Sequence, residues 1–391
     1  MNFLFITPEC LFLTCKKDVP DRLKLQNVKK IAVLRAGALG DFIVTLPAFD
    51  ALRATYPSAE IVLLGKPWQK EFLVKGRTSV DRVIVIPVKK GVRVEAEVNE
   101  NEDEIERFFH NMQHEAFDMV LNFQGNGASA NPFIKRLGAR LTAGPVPHAA
   151  ETDKPDRYYE FYYYQHEAIR YLDTAALVGA RVTTLEPVVH VLQQDKEEVK
   201  DLINRLQHKP YVVLHPVAMD KRRMWPLENY PALIKELVQR NVEVVFTGAA
   251  SDRAIVDDMI AQSKASVINT CGELSLGGLT ALLSKAAVVI AVDTGPLHLA
   301  RAVNAPTVGI HWVPNLINWG PLSRVIHKPV VSWNLACPIC GTIPNDPYPF
   351  EPRTECDHEI SFVRDITVEQ IMQATDSLLQ MLNAKNLMQN A

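Results

Sequence analysis

The chain has 391 residues, 47% of them hydrophobic and 22% charged, with a formal net charge of −3 at pH 7. That length exceeds what one hydrophobic core usually serves, so two domains are expected. The near-neutral balance offers no basic field to a nucleic acid, and no apolar run is long enough to cross a bilayer.

Residues 1–27 join an apolar cluster (Phe3, Leu4, Phe5, Ile6, Leu11, Phe12, Leu13) to a basic stretch beginning at Lys16 and Lys17. Pro8-Glu9 interrupts the apolar run and no positive segment precedes it, so it makes a poor secretory signal. Two readings stay open, a surface segment packed on the first domain and a foothold on an anionic membrane surface.

From Val28 onward, strand and helix alternate. Strands are predicted near 31–35, 60–65, 82–86 and 117–123, with a helix over 42–55; the acidic run from Glu95 to Glu106 reads as a solvated loop and helix start. A seam falls within 185–209, dividing residues 28–190 from 191–391. The second part repeats the pattern, with strands near 211–215, 242–247, 266–270 and 287–292 and helices near 228–240, 252–262 and 276–285. Such alternation implies α/β domains with parallel sheets covered on both faces.

Two loops carry the strongest chemical signal. Arg35-Ala36-Gly37-Ala38-Leu39-Gly40-Asp41 follows an apolar β-prone run. It lacks the third glycine of a dinucleotide fingerprint and the Gly-Lys-Ser/Thr of a P-loop. Asp41 is either a helix N-cap or a carboxylate at the mouth of a strand-end crevice. Near the other end, Asp293-Thr294-Gly295-Pro296-Leu297-His298 follows a buried strand and opens a helix. Such an N-terminus attracts anions through its unpaired amides. His298 is either a buried, hydrogen-bonded histidine or part of that site.

The six cysteines fall into two groups. Cys10, Cys15 and Cys271 show no ligand spacing. Cys337-Pro338-Ile339-Cys340 with Cys356-Asp357-His358 could supply four zinc ligands, although the second pair has a single residue between its members, short of the usual two to four or so. Reduced or transiently disulfide-bonded thiols are the alternative, and no metal is assigned to the reaction.

Taken together the loops resemble glycosyltransferase family 9, the ADP-heptose:lipopolysaccharide heptosyltransferases. Further segments carry the likeness in register: Phe117 to Gly125, with its Asn122-Phe123-Gln124-Gly125 turn; His215-Pro216 and the basic stretch before Trp225-Pro226; Phe246-Thr247-Gly248-Ala249; and Cys271-Gly272-Glu273-Leu274-Ser275. The resemblance implies a GT-B fold, two Rossmann-like domains facing each other across a cleft, with the last helix (367–383) packing back toward the first. It implies an inverting transfer of heptose from ADP-heptose to a lipid-linked core acceptor at the cytoplasmic face of the inner membrane, without a metal or other cofactor. Asp41, after Gly40, is then the general base. The amides of Thr294 and Gly295 and the Arg223 side chain receive the diphosphate, with Lys221 and Arg222 as rivals for the cation. Asp293 contacts the sugar and His298 supports it. Leu274 packs on adenine or belongs to the core; Asp252 binds ribose or caps a helix. Asn122, Gln124 and Asn126 contact acceptor hydroxyls or simply shape a turn. Val217 and Ala218 stand where the family often has Thr or Ser, which leaves the donor sugar open. A binding protein without catalysis is disfavoured by the intact Asp41 and Asp293-Thr294-Gly295, and a dinucleotide oxidoreductase by the absent G-x-G-x-x-G.

Overall fold

The computed structural model describes residues 23–343 and 356–389, apart from Glu97, Ala149, Glu151, Gln207 and His208. The apolar cluster of the N-terminal segment, with Cys10 and Cys15, lies outside the described residues. The end of that segment packs on the first unit: Leu23 is buried and Leu25 N–H donates to the Tyr56 hydroxyl at 3.2 Å. No helix among the described residues is long and apolar enough to cross a membrane.

The chain divides into two compact units, one through His190 and one from Val191. The first holds strands β1 (Lys30–Leu34), β2 (Glu60–Gly65), β3 (Arg82–Val85), β4 (Met119–Asn122), β5 (Leu141–Val146) and β6 (Arg157–Glu160). They form a fully parallel sheet in the order β3-β2-β1-β4-β5-β6. The second holds β7 (Tyr211–His215), β8 (Glu243–Phe246), β9 (Ile268–Asn269), β10 (Val288–Val292), β11 (Thr307–Trp312) and β12 (His327–Ser332). These are again all parallel, in the order β12-β11-β10-β7-β8-β9. Read from its own first strand, the second sheet repeats the order of the first, the doubly wound dinucleotide-fold arrangement.

The central strands are apolar without alternation because helices cover both faces. All five residues of Val288–Val292 are buried, as are four of the five in β1. Each large aliphatic side chain so enclosed contributes roughly 1.5–3 kcal/mol. Strand entrances are held by carboxylates: Asp118 accepts from the amides of Lys29 and Lys30 at 2.7 and 3.0 Å, tying β4 to β1.

Four strands escaped the sequence reading, and their composition explains it. β5 contains Gly144-Pro145, yet its pairing with β4 ends at Ala143, before the proline. β12 carries Pro329 but is an edge strand, where a missing N–H is tolerated. β6 is four residues with three of them only partly buried, and β11 is interrupted by Gly309. The single helix predicted over 42–55 is two, Leu39–Ile43 and Leu46–Thr55. Pro47 cannot donate to the turn before it, so the chain breaks at Val44-Thr45 and restarts with the proline in the first turn. The acidic run does enter a helix, Glu102–His114, capped by the Asn101 side chain with three acids in its first turn.

The last helix, Val368–Gln389, packs on helix Tyr230–Gln239 and on β10, β11 and β12 of its own unit. Ile371 and Leu378 enter the core, and Arg240 pairs with Asp376. Trp225 anchors the loop after β7: it is fully buried, edge-on to Tyr230, and its indole N–H donates to the Ile366 carbonyl at 2.8 Å.

Trp225→Phe removes that donor and leaves the carbonyl buried and unpaired. The expected loss is about 1–3 kcal/mol of unfolding free energy, read from urea unfolding; an unchanged midpoint would contradict the anchoring role.

Candidate active site

In a parallel sheet every strand delivers its C-terminal end to the same edge. Loops part where the strand order reverses direction, leaving a crevice that open α/β sheets use for ligands. The reversal lies between β1 and β4 in the first unit and between β10 and β7 in the second. Both sequence-predicted clusters fall at these points.

In the first unit, the loop after β1 runs into helix Leu39–Ile43. Asp41 is not its N-cap; Ala38 holds that place, and Asp41, the third residue of the helix, reaches back so that Oδ2 accepts from Ala38 N–H at 3.0 Å. The other oxygen, Oδ1, lies 3.5 Å from Arg35 Nη2, and the Asp41 side chain is 37% exposed. Arg35 is buried, donating to the Phe123 carbonyl at 3.1 Å and to the Asp41 carbonyl at 3.2 Å, with its guanidinium 5.4 Å from the Tyr171 ring centre. The loop has no room for side chains near the acid: a Cβ on Gly37 would stand 2.8 Å from the Asp41 Cβ. Gly40 is buried inside the same turn.

The loop after β4 supports this one rather than offering open groups. Gln124 Oε1 accepts from Ala36 N–H at 3.0 Å. Asn122 is fully buried, donating to Asn131 Oδ1 at 2.9 Å and accepting from Gln124 N–H at 2.7 Å. Asn126 accepts from Ala128 N–H. Turn chemistry occupies these oxygens.

In the second unit, helix Gly295–Ala302 begins directly after β10, with Thr294 as N-cap and Pro296 in its first turn. The Thr294 hydroxyl turns back to the Val292 carbonyl instead of capping the helix, and the first amides of any helix lack an intrahelical acceptor. Of the three consecutive basic residues after β7, only Arg223 reaches this turn, its Nη1 donating to the Asp293 carbonyl at 3.2 Å. Arg222 is held bidentately by Asp220 at 2.9 and 2.8 Å, and Lys221 pairs with Glu359 at 2.6 Å.

Asp293 is buried, with Oδ1 at 3.5 Å from His298 Nε2 and 3.7 Å from His311 Nδ1. Both are longer than a well-formed hydrogen bond. Asp293 Oδ1, His311 Nδ1 and Arg223 Nε are all buried without a hydrogen-bond partner. Burial alone would raise the Asp293 carboxyl, yet His298, His311 and Arg223 hold it well below the ordinary carboxylate range. Burial pushes His311 down to about 4 against the pull of Asp293. His298 lies edge-on to Trp319 with its other nitrogen 3.4 Å from Arg301 Nη1. His311 was missed from the sequence, where it stands in an apolar strand without a motif.

The two residues that the resemblance implies for adenine and ribose follow β9 and β8. Asp252 Oδ2 accepts from Ala249 N–H at 2.8 Å, so it closes the Ala250–Asp252 turn as well as preceding helix Arg253–Ser263. Leu274 is half-buried and is not among the side chains clustered around Trp225 and Tyr230. His215, at the end of β7, meets the Thr247 hydroxyl at 3.1 Å, and burial pushes it down to about 4.

Residues 105–340 match the model for glycosyltransferase family 9 (heptosyltransferase). The chain is 22% identical over 303 residues to the lipopolysaccharide core heptosyltransferase OpsX of Haemophilus influenzae, a match spanning 76% of this chain and 83% of that protein. In structure it is similar to a family 9 glycosyl transferase from Veillonella parvula, with a TM-score of 0.72 at 18% identity over 90% of this chain and 97% of the other. It is similar also to the E. coli ADP-heptose lps heptosyltransferase II, with a TM-score of 0.68 at 18% identity over 91% and 99%. These likenesses establish the fold as GT-B.

A neutral His311 makes stability depend on pH. Its folded value lies below the unfolded one, so its contribution, about 3 kcal/mol, is complete above pH 6.5 and lost as pH falls through 4. Unfolding free energies of wild type and His311→Gln are expected to fall by different amounts between pH 7 and pH 4.5, with the wild type falling further. Parallel profiles would contradict the assignment.

Proposed function

The chain belongs to glycosyltransferase family 9, and from that premise we propose that it moves heptose from ADP-heptose to a sugar hydroxyl of the lipopolysaccharide inner core, with inversion at the anomeric carbon. The observation that carries this reading is Arg223. It alone of three neighbouring cations meets the turn at which a helix N-terminus opens, and its Nε has no protein partner. A guanidinium beside unpaired amides is suited to a diphosphate.

The reaction passes through an oxocarbenium-like state, as glycoside hydrolysis does. Asp41 takes the proton of the acceptor hydroxyl as the new C–O bond forms and the bond from the anomeric carbon to the β-phosphate oxygen breaks. Its Oδ1 is reachable and weakly engaged, while Oδ2 is fixed by Ala38 N–H. Arg35 orients the acid through both its carbonyl and its carboxylate. The charge released on ADP is received by Arg223 and by the amides of Thr294 and Gly295, so no metal ion is required.

Asp293 holds that end together, its carbonyl on Arg223 and its carboxylate facing His298 and His311. A direct contact with the sugar needs Oδ1, now enclosed, to be uncovered. Leu274 and Asp252, on the loops after β9 and β8, are assigned to the adenine and ribose. OpsX and the E. coli enzyme are named for lipopolysaccharide, which supports a lipid-linked acceptor. A lipid-linked acceptor is met at the cytoplasmic face of the inner membrane, and contact of residues 1–27 with that surface, from their apolar and basic composition, is part of the proposal.

ADP release from ADP-heptose in the presence of lipid A core acceptors of graded length tests this. Asp41→Asn is expected to lower kcat by about 10²–10⁴-fold while ADP still binds. Arg223→Ala is expected to lower kcat/KM by roughly 10–100-fold, the worth of a charge-assisted phosphate contact. Donor binding without acceptor-dependent release in wild type would mean a binding protein, and no donor binding would mean another nucleotide sugar.

A further inference from the structure

We propose that Cys337, Cys340, Cys356 and His358 bind one Zn²⁺ ion, and that this ion secures the segment abutting the Lys221–Arg223 turn. The site is structural and does not rest on the sugar-transfer reading.

The geometry carries the proposal. One ligand atom from each of the four residues lies within 4.8 Å of all the others. Cys337 Sγ is 3.7 Å from His358 Nδ1, Cys356 Sγ is 3.6 Å from the same nitrogen, and Cys340 Sγ is 3.6 Å from Cys356 Sγ. A tetrahedral zinc ion, at about 2.3 Å from sulfur and about 2.0–2.1 Å from imidazole nitrogen, separates its ligand atoms by roughly 3.6–3.8 Å. A disulfide would need its sulfurs at about 2.05 Å and would use only two of the three thiols. The three cysteines are free, and three thiolates with one imidazole form a closed structural zinc set.

The backbone converges for local reasons. Gly341 N–H donates to the Cys337 carbonyl at 2.8 Å, and Cys337 N–H donates to the Thr342 carbonyl at 2.7 Å. This tight turn brings the Cys337 and Cys340 thiols to one side. It requires φ of +75° at residue 341, where glycine is the unstrained choice. Cys337 is buried as part of the core of the second unit, whereas Cys340 is exposed, so an ion has both an anchor and an entry. The short Cys356-Asp357-His358 spacing, which weakened the sequence signal, is accommodated because residues 356–360 are irregular and His358 presents Nδ1, the ring nitrogen nearer the backbone.

What the ion would hold follows from the next residues. Glu359 pairs with Lys221, and Phe362 N–H donates to the Arg222 carbonyl at 2.8 Å. Cys356 and His358 line the same surface hollow as Arg222 and Arg223. An exposed pair such as Lys221–Glu359 contributes little by itself. Zinc on His358 and Cys356 fixes the chain immediately before these contacts, and with it the turn from which Arg223 projects.

The test uses the full chain purified without chelator. Elemental analysis is expected to find about one zinc per chain, and Cys340→Ser, at an exposed position, to retain less than about a tenth of it after dialysis against EDTA. Hydrogen–deuterium exchange of residues 219–224 should be several-fold faster in the zinc-depleted protein. Substoichiometric zinc in the wild type, iron in its place, or a disulfide found by mass spectrometry of the untreated protein would overturn the site. Stoichiometric zinc with unchanged exchange at 219–224 would overturn its hold on the turn.

Discussion

A strand whose sheet neighbour is parallel must be followed by a crossover that carries the chain back to its starting edge. The crossover is right-handed almost without exception, so helices cover a face together and loops collect at the carboxyl edge. Reversing the winding after three strands then forces two adjacent loops to diverge. This chain does so twice, between β1 and β4 and between β10 and β7. Asp41 follows β1; Asp293 follows β10 and Arg223 follows β7. The chemistry assigned to these residues is a consequence of where the winding turns.

Within that constraint, side chains that touch no ligand decide what the functional ones can do. Asp41 is aimed by its bond to Ala38 N–H and by Arg35, which is itself held by the Phe123 carbonyl. Gln124, from the loop on the far side of the crevice, pins Ala36. In the second unit a buried carboxylate organises two histidines while its backbone carbonyl engages an arginine. Three buried polar atoms without a hydrogen-bond partner, Asp293 Oδ1, His311 Nδ1 and Arg223 Nε, lie at the switch point of the second sheet. Buried polar atoms are costly to leave unpaired, and the three around Asp293 sit beside the helix N-terminus that opens at Thr294.

The two α/β domains, the central strands and the loops at their ends were legible because parallel sheets use long apolar runs and because turns need Gly, Pro and Asp at fixed places; the order of the strands within each sheet was not. The outer strands were less so: β5 and β12 contain prolines whose tolerance depends on which neighbour they pair with, a tertiary fact. Arg223 could not be separated from Lys221 and Arg222 by spacing. The separation comes from Asp220 and Glu359, which engage the other two. His311 carries no local signature, since its meaning lies in its distance from Asp293. The Cys/His group was visible as a composition but not as a site, because a short Cys-x-His spacing is judged only when the backbone around it is known.

As proposed above, the donor is held by the loops at the carboxyl edge of the second sheet, with Asp41 reserved for the acceptor. Hydrogen–deuterium exchange of the full chain with and without ADP addresses this directly. Protection confined to the segments around 215–223, 247–252, 270–275 and 293–298, with 35–41 unchanged, is the predicted result. Protection centred on 35–41, or none in the second unit at saturating ADP, would contradict it.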